Sequence, residues 1–231
     1  MVAGWAQGYH APMVKSGYPE ILGGDYVNIW GASTLLKEGH TSLLWDINTY
    51  YPFLCSRITP DFEIHNWSYP PTLLLLLRPF AYMPYEWGYA WWIMLTGIPF
   101  LLATKHYNCK PKAIFLLLLM PNTLFNVWTG QNGFLTAGLM ALALQYRQHN
   151  PWKCALSLAL LTIKPHLGVL FPLLLLYEKR RKVIGCTLLL VILFTGMSIV
   201  AFGAQAWVLY FTKVPQALNG EAPWNISCLP S

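Results

Sequence analysis

Three short polar stretches carry the side chains that could do chemistry in this chain. The first contains Asp25, which follows two glycines in ILGGDYVNIWGAS, where a carboxylate can be a helix N-cap or a general base. The second is TGQNG, where Gln131 and Asn132 offer amide groups suited to sugar hydroxyls or phosphate. The third is TIKPH, where Lys164 and His166 could neutralise a phosphate.

The position of Lys164 inside an apolar run is the strongest of these signals. An ionisable residue at membrane depth is costly and indicates a functional site by default. A lysine that merely extends to the membrane surface is the alternative. Arg78, in WSYPPTLLLLLRPF, is a further candidate phosphate ligand. The basic cluster at 179–182 is interpreted as a topology determinant that faces anionic lipid.

Two aromatic residues accompany these polar groups. Tyr69 precedes a double proline that fixes an extended entry into the next apolar stretch, and its hydroxyl is available for a ligand contact. Trp30, shortly after Asp25, would serve equally well as an anchor at the membrane interface or as a platform for a substrate. The residues alone leave both choices open.

The composition is that of a membrane protein. Of 231 residues, 55% are hydrophobic and 10% are charged, whereas soluble domains carry about 25% charge, and the mean hydropathy is +0.41. The net charge of +6 comes largely from bases in separate short loops that never form a continuous patch. This pattern indicates membrane sidedness rather than a nucleic-acid partner.

The chain divides into three segments by composition. Residues 1–69 are polar and aromatic, residues 70–204 are mainly apolar, and residues 205–231 are aromatic and polar again. We expect the first segment outside the membrane, the second as a bundle of membrane helices, and the third at the interface or outside. Within the first segment, residues 26–38 predict an amphipathic helix that Gly39 ends as a C-cap.

The apolar segment predicts an all-α, polytopic membrane protein. A span needs roughly 20 apolar residues, and the candidates are 87–104, 112–129, 130–146 and 183–203. The run 152–178 is interrupted at Pro165, which removes a backbone hydrogen bond, so we expect two short embedded halves that meet at a polar elbow. Residues 70–83 are too short for a comfortable span and predict a short or re-entrant helix.

The basic connections set the orientation of these helices. When the helices alternate in direction, KHYNCKPK (105–112), RQHNPWK (147–153) and EKRRK (178–182) fall on one side, which the positive-inside rule makes cytoplasmic. The other side receives residues 1–69, the TGQNG turn, the Lys164 elbow and the C-terminal stretch. Polar groups from four separate segments therefore gather on the extracytoplasmic face, where we expect a site.

Five cysteines stand singly, and none has the spacing of a redox pair or a metal site. Cys154 and Cys186 lie in apolar runs and are expected to pack as small core residues. Cys55 and Cys228 fall in segments that could face one compartment, which leaves a disulfide between them open.

Two features of a complete membrane protein with this topology are missing. No apolar span precedes residues 1–69, and the chain stops in a polar segment without a closing helix. We therefore expect a fragment that is truncated at both ends.

The motifs, taken in order, resemble glycosyltransferase family 87. Members of this family are polytopic enzymes of GT-C architecture, related to polyprenyl-phosphate-mannose-dependent mannosyltransferases. The resemblance is carried by GGDYVNIWGASTLLKEG, LLWDINTYY, WSYPPTLLLLLRPFAYMPY, TGQNGFLTAGLMALAL and LTIKPHLGVLFPLLLLYEKRR. No single motif is decisive, but the five in sequence make a specific match over roughly residues 23–200.

The resemblance implies a GT-C-like helical bundle with short amphipathic helices in its outer-face loop region, in a bacterial plasma membrane. It implies that Asp25 deprotonates an acceptor hydroxyl and is held in place because it also caps its helix. The hydroxyl of a glycan or glycolipid would then displace polyprenyl phosphate from a hexose, in the first instance mannose, with inversion. The residues expected to bind phosphate or sugar are Lys164, His166, Arg78, Tyr69, Gln131, Asn132 and Trp30. No DxD-type motif is present, so neither a metal nor a cofactor is implied.

Two other functions stay open from the sequence. A broken helix with a buried lysine is also found in transporters and would suit a lipid-carrier flippase, although no internal repeat supports one. An inactive, truncated remnant in the membrane is the third interpretation, and an apolar helix encoded upstream would argue against it.

Overall fold

The structure, a computed structural model, describes residues 22–58, 65–107 and 109–218. Every regular element in these ranges is helical, which confirms the all-α class. Two 3-10 turns occur at Thr41–Leu43 and Arg78–Tyr82. The α-helices in these ranges are α1 (Tyr26–Glu38), α2 (Ile47–Arg57), α3 (Pro71–Leu77), α4 (Tyr85–His106), α5 (Pro111–Leu118), α6 (Pro121–Thr129), α7 (Gly133–Tyr146), α8 (Pro151–Leu161), α9 (Pro165–Gly168), α10 (Phe171–Tyr177), α11 (Arg181–Phe202) and α12 (Ala204–Leu218).

The chain forms two compact units, which are described separately. Unit 1 comprises Met1–Met83 and Phe202–Ser231, and unit 2 comprises Pro84–Ala201. Unit 1 therefore contains α1 to α3 and α12, and unit 2 contains α4 to α10 and almost all of α11.

Helix α1 forms over the residues predicted for it. Gly39 ends it at φ 77°, a left-handed conformation that glycine adopts without steric cost. The burial of α1 differs from the expected amphipathic pattern, because side chains around most of its circumference are buried between Tyr26 and Leu35. They are covered by α3 and by the turns Thr41–Leu43 and Arg78–Tyr82, so α1 is a core helix of unit 1.

Helices α1 and α2 meet at Gly31. A Cβ atom at this position would lie 2.5 Å from Cδ2 of Leu54 and 3.0 Å from the hydroxyl oxygen of Tyr50. Helix α12 is joined to the same unit by an ion pair, in which Nζ of Lys213 lies 3.0 Å from Oδ2 of Asp46 at the start of α2.

Residues 70–83 form α3 and the turn Arg78–Tyr82, and are short as predicted. Helix α3 has 7 residues. At 1.5 Å per residue it is about 10 Å long, against a bilayer core of about 30 Å, so it does not cross a membrane by itself.

The cysteines fall into two chemical states. Cys55 of α2 is disulfide-bonded, whereas Cys109, Cys154 and Cys186 are free thiols. Cys154 and Cys186 are buried, as predicted. Cys228 lies outside the described residues, so its pairing with Cys55 stays a prediction. A disulfide at Cys55 is typical of an oxidising compartment, in agreement with the extracytoplasmic side expected for this segment.

In unit 2, α4 and α7 run parallel. Near the start of α4, the indole N–H of Trp92 donates to the carbonyl oxygen of Gly130 at 2.9 Å. At its other end, the hydroxyl of Tyr107 donates to the carbonyl oxygen of Ala141 at 3.3 Å. Positions along the two helices therefore increase together, and the basic connections that follow them lie at the same end of the unit.

Helix α8 runs antiparallel to α7, because the thiol of Cys154 donates to the carbonyl of Ala143 across the short connection between them. At this end, Arg147 pairs with Glu178 at an Nε–Oε1 distance of 2.9 Å. All three basic connections therefore lie at one end of unit 2, as the topology predicts. The core between the helices is formed by Leu139, Ala143, Cys154, Leu158, Leu161, Phe171, Leu175 and Val183.

The predicted spans have different outcomes. Helix α11 forms over the predicted span 183–203, and within the described ranges it is the helix that is long and apolar enough, by length and composition, to cross a membrane unaided. The candidate span 112–129 forms two helices, α5 and α6, which are bent by 57° relative to each other and are apolar and long enough to cross a membrane only if taken together as one broken span. Met120 before Pro121 is extended (φ −62°, ψ 140°), a conformation that the proline imposes and that ends α5.

The other two predicted spans form helices of different length. Helix α4, which contains 87–104, has 22 residues. Helix α7, in the stretch 130–146, has 14 residues, fewer than the roughly 20 that a straight crossing requires.

The predicted elbow in 152–178 is confirmed. Helix α8 ends at Leu161 and α9 begins at Pro165, with Lys164 extended between them (φ −130°, ψ 79°). An extended residue before proline is what the clash with the proline ring predicts. The elbow and the Gly130–Gly133 turn both lie at the end of unit 2 opposite the basic connections.

Gly138 permits the close approach of α7 to α4. A Cβ atom on Gly138 would overlap the backbone of Pro99 and Phe100, and backbone cannot move aside as a flexible side chain can. Gly196 of α11 provides a matched control, because a Cβ atom there would meet nothing within 4 Å.

We expect Gly138→Ala to destabilise the protein and Gly196→Ala to leave it unchanged or slightly more stable. Overpacking of a close contact costs about 1–3 kcal/mol. Replacement of an unconstrained helical glycine by alanine contributes about 0.5–1 kcal/mol of stability. Thermal unfolding in detergent, followed by tryptophan fluorescence, measures both. Equal melting temperatures for the two variants would contradict the proposed α4–α7 contact.

Candidate active site

Asp25 occupies the N-cap position of α1, but its side chain does not cap the helix. Its backbone is helical (φ −73°, ψ −29°) rather than extended, and its carboxylate makes no cap hydrogen bond. Backbone carbonyls take that role, since Val27 N–H donates to Gly23 at 3.0 Å and Asn28 N–H donates to Asp25 at 3.2 Å. The position predicted for Asp25 is confirmed, and the prediction that capping holds its carboxylate in place is wrong.

The other two described acids of unit 1 are engaged. Glu38 pairs with Arg57 at 2.7 Å, and Asp46 pairs with Lys213 at 3.0 Å. Asp46 is also a true N-cap, because its extended backbone lets Oδ1 accept the Asn48 N–H at 3.0 Å. Among the acids that the structure describes in this unit, the half-buried carboxylate of Asp25 is thus the one without an ion pair.

A buried tyrosine fixes the first turn of α1. The hydroxyl of Tyr50 donates toward the carbonyl oxygen of Asn28 at 3.1 Å and toward its side-chain oxygen at 3.2 Å. Burial, together with the neighbouring Tyr69, raises the pKa of Tyr50 well above its ordinary value of 10.0, so this hydroxyl keeps its proton. Asn28 lies about one turn beyond Asp25. Sequence reasoning missed both Asn28 and Tyr50, although the aromatic run in LLWDINTYY is a signal for the second.

The remaining predicted residues of unit 1 have different environments. The carbonyl of Tyr69 accepts the indole N–H of Trp45 at 3.0 Å, and its ring lies 5.0 Å from that of Trp67. Trp30 is half-buried on α1. Arg78 is exposed at the start of the turn that packs on α1. The structure therefore brings the segments of Asp25, Trp30, Tyr69 and Arg78 into one unit.

In unit 2, the TGQNG sequence forms a closed turn between α6 and α7. Gly130 is left-handed (φ 73°), and the N–H of Gln131 returns to the carbonyl of Asn126 at 3.1 Å. These bonds are those of a Schellman motif, which satisfies the last carbonyls of α6. Gln131 is half-buried, and Asn132 is buried at the start of α7.

Asn126 is a polar residue of this turn that the sequence reasoning missed. Its side-chain oxygen accepts the N–H of Gly133 at 2.9 Å, while its amide nitrogen is buried without a hydrogen-bond partner within the described part of the chain. A buried amide donor of this kind costs free energy unless something accepts its hydrogen bond. The sequence signal is the isolated asparagine in the apolar run LFNVW.

Lys164 and His166 flank Pro165 at the elbow. Lys164 is half-buried and His166 is exposed. The backbone of the elbow is satisfied locally, since the N–H of Lys164 donates to Leu161 and its carbonyl accepts the N–H of Leu167, both at 3.0 Å. Lys164 and His166 therefore both belong to the end of unit 2 that also carries Gln131 and Asn132.

The predicted site residues are thus divided equally between the units: Asp25, Trp30, Tyr69 and Arg78 belong to unit 1, and Gln131, Asn132, Lys164 and His166 belong to unit 2. Across the residues that the structure describes, no three His, Cys, Asp or Glu side chains group as metal ligands would.

The family model of glycosyltransferase family 87 matches residues 67–230, well over half of the chain. The chain belongs to glycosyltransferase family 87. Comparisons with curated proteins and with solved structures found no match.

The matched range differs from the resemblance read from the motifs. It extends to residue 230, beyond the roughly residue 200 at which the motifs fade, and it begins after the segment that contains Asp25 and Trp30. The match therefore covers Tyr69, Arg78 and all four predicted residues of unit 2, and the role of Asp25 depends on its own environment.

The Asp46–Lys213 pair gives unit 1 a stability that depends on pH. Burial opposes ionisation of Asp46, but hydrogen bonds from Lys213 and Asn48 outweigh it and hold its pKa below the ordinary 3.8. Because the folded-state pKa is depressed, the stabilisation is present above that ordinary value and is lost as the pH falls through the folded-state pKa.

We expect Asp46→Asn to lower the melting temperature near neutral pH, and the difference from wild type to close as the pH falls below 3.8, the ordinary pKa of an aspartate, and through the lower folded-state pKa of Asp46. Asparagine is as good an N-cap as aspartate, so the substitution removes mainly the charge. Glu38→Gln, which breaks the more exposed Glu38–Arg57 pair, is the control and should show little difference at any pH. If the difference in melting temperature between wild type and Asp46→Asn does not change with pH, the Asp46–Lys213 ion pair is not the source of the stability.

Proposed function

We propose that this chain transfers a hexose, in the first instance mannose, from a polyprenyl-phosphate sugar to an acceptor hydroxyl on the extracytoplasmic face of a bacterial plasma membrane. The acceptor is a glycan or glycolipid. The observation that carries the proposal is the family match over residues 67–230, since members of the family are membrane glycosyltransferases.

Asp25 is the proposed general base. It accepts the proton of the acceptor hydroxyl as that oxygen attacks the anomeric carbon. The bond from this carbon to the phosphate oxygen breaks, and polyprenyl phosphate leaves with the electron pair, so the anomeric centre is inverted. The support for Asp25 over Asp46 or Glu38 is that its carboxylate makes neither a cap bond nor an ion pair, whereas the other two are paired with cations.

Lys164, His166 and Arg78 are the proposed phosphate ligands. A developing phosphate charge is stabilised most by fixed donors in a site of low dielectric constant. The half-buried Lys164 fits this requirement best, because its extended backbone is fixed by Pro165. Tyr69, Gln131, Asn132 and Trp30 are proposed to orient the sugar or the phosphate through hydroxyl, amide and ring contacts.

The extracytoplasmic location is supported by two separate observations. The three basic connections lie at one end of unit 2, and the positive-inside rule assigns that end to the cytoplasm. Cys55 is disulfide-bonded, which favours an oxidising compartment for its segment.

A transporter or lipid-carrier flippase is the second candidate function, and the elbow is the observation that favours it. Helices α8 and α9 break at Lys164 within an apolar region, as discontinuous transporter helices do. A transporter moves its substrate unchanged, whereas the proposed enzyme forms a new glycosidic bond.

Asp25→Asn is expected to reduce sugar transfer by a factor of about 10²–10⁴, the usual contribution of a general base. The assay incubates membranes that contain the protein with labelled polyprenyl-phosphate mannose and a mixture of glycan and glycolipid acceptors, and measures labelled product. Since the carboxylate makes no cap bond, the substitution should leave the melting temperature unchanged.

Glu38→Gln is the matched control on the same helix, and its transfer rate should equal that of wild type. Full activity of Asp25→Asn would remove Asp25 from the mechanism. Loss of labelled donor from one leaflet without any labelled product would favour the flippase over the transferase.

A further inference from the structure

An apolar pocket of about 310 Å³ lies beside the elbow in unit 2. It is bounded by the end of α8, by α9, and by the first turns of α10 and α11. Its volume is at the small end of the range for ligand pockets, about 300–1,000 Å³. The space therefore fits a short piece of a chain molecule rather than a whole lipid.

The side chains of the pocket wall have no hydroxyl proton left to donate to a ligand. Thr162 and Thr187 are its polar residues, and both hydroxyls already donate within their own helices, to Ala159 at 2.5 Å and to Val183 at 2.8 Å. The rest of the wall consists of glycine, proline and large apolar residues such as Leu158, Leu161 and Phe171. A ligand in this pocket must therefore be hydrocarbon.

The pocket is open on one side, and it lies next to the elbow that contains Lys164 and His166. Val169 and Leu188 of its wall are 64% and 57% exposed, so a chain can enter laterally from the bilayer. Pro165 is also part of the wall, and its neighbours in sequence are Lys164 and His166. The site thus combines a hydrocarbon slot with a lysine and a histidine next to its Pro165 edge in sequence, which suits an anionic head attached to an apolar chain.

We propose that this pocket binds the phosphate-proximal isoprene units of the polyprenyl-phosphate donor. The inference rests on the proposed function for the identity of the lipid, but the pocket and its charged edge are independent of Asp25. With the first isoprene units in the pocket, the phosphate lies at the elbow, and the sugar extends beyond it toward the outer end of unit 2. The rest of the polyprenyl chain stays in the bilayer.

Two neighbouring leucines of α11 provide a matched pair of variants. Leu188 is 57% exposed and forms part of the pocket wall, whereas Leu189 is 56% exposed and does not. Leu188→Trp would fill the pocket, and Leu189→Trp would make the same change in residue type at an exposed position outside the pocket wall. Melting temperatures of both variants establish that they fold.

The test uses the full chain in nanodiscs of phosphatidylglycerol and phosphatidylcholine. A polyprenyl phosphate with a photoreactive group on its first isoprene unit is cross-linked, and the adduct is mapped by mass spectrometry. We expect adducts on pocket residues, and about tenfold weaker labelling of Leu188→Trp than of Leu189→Trp or wild type. Unlabelled polyprenyl phosphate should compete, and added phosphatidylglycerol should not.

Equal labelling of the Leu188→Trp and Leu189→Trp variants would overturn the proposal. Competition by phosphatidylglycerol as strong as that by polyprenyl phosphate would also overturn it, because the pocket would then be a site for bulk lipid. The readout is binding, so Asp25→Asn should label as wild type does. Pocket labelling without sugar transfer would therefore reject the proposed function and keep the lipid site. Normal transfer with no labelling difference between the variants would reject the lipid site alone.

Discussion

Hydrogen bonding of the backbone at the two breaks of unit 2 is the constraint on which that unit depends. In an apolar environment each unsatisfied peptide group costs several kcal/mol, so a helix can stop only where its last carbonyls and the next N–H groups find partners. At the Gly130–Gly133 turn, the backbone and side chain of Asn126 accept three N–H groups, and Trp92 donates to Gly130. At the elbow, tight turns around Lys164 do the same. Both breaks can therefore carry polar side chains within apolar sequence without leaving the backbone unpaired.

The orientation of unit 2 follows from these breaks. The Gly130–Gly133 turn reverses the chain between α6 and α7, so α7 runs parallel to α4. The basic connection after α7 reverses the chain again, so α8 runs antiparallel to α7 and the basic connections lie at the end opposite the breaks. One end of the unit is rich in lysine and arginine, and the other carries amides, Lys164 and His166. This separation is what a membrane protein with a site on one face requires, and it is produced by prolines and glycines within apolar sequence.

In unit 1, the aspartates at the N-cap positions of α1 and α2 have different environments. Asp46 has the extended backbone of an N-cap, binds Asn48 and Lys213, and is used for structure. Asp25 has a helical backbone at the corresponding position, and its carboxylate is left unengaged. The first turn of α1 is held instead by backbone bonds and by Tyr50, so the carboxylate is positioned without being consumed by a structural bond.

The features that could be predicted from the sequence are those that depend on a residue and its immediate neighbours. The bounds of α1, its end at Gly39 and the break at Pro165 follow from glycine and proline, whose effects are confined to their neighbours. The break at Pro121 carried the same signal, with the polar Asn122 and Thr123 directly after it, and was overlooked because the run 112–129 as a whole is apolar and has the length of one span. The residue preferences of helix N-caps identify the position of Asp25 but not its backbone dihedral angles. The Lys213–Asp46 ion pair could not be predicted, because its two residues are too far apart in the sequence for a local pattern to connect them. The match to the family likewise covers only part of the candidate site.

The central claim is that the polar breaks face the extracytoplasmic side with the N-terminal segment, and cysteine labelling on intact cells tests it most directly. Single cysteines are placed at the exposed positions Ser68, His166 and His149. The background chain has serine in place of its free thiols, Cys109, Cys154 and Cys186. With a membrane-impermeant maleimide, the account predicts labelling at 68 and 166, and labelling at 149 only after permeabilisation. Labelling of intact cells at 149 but not at 166 would contradict it.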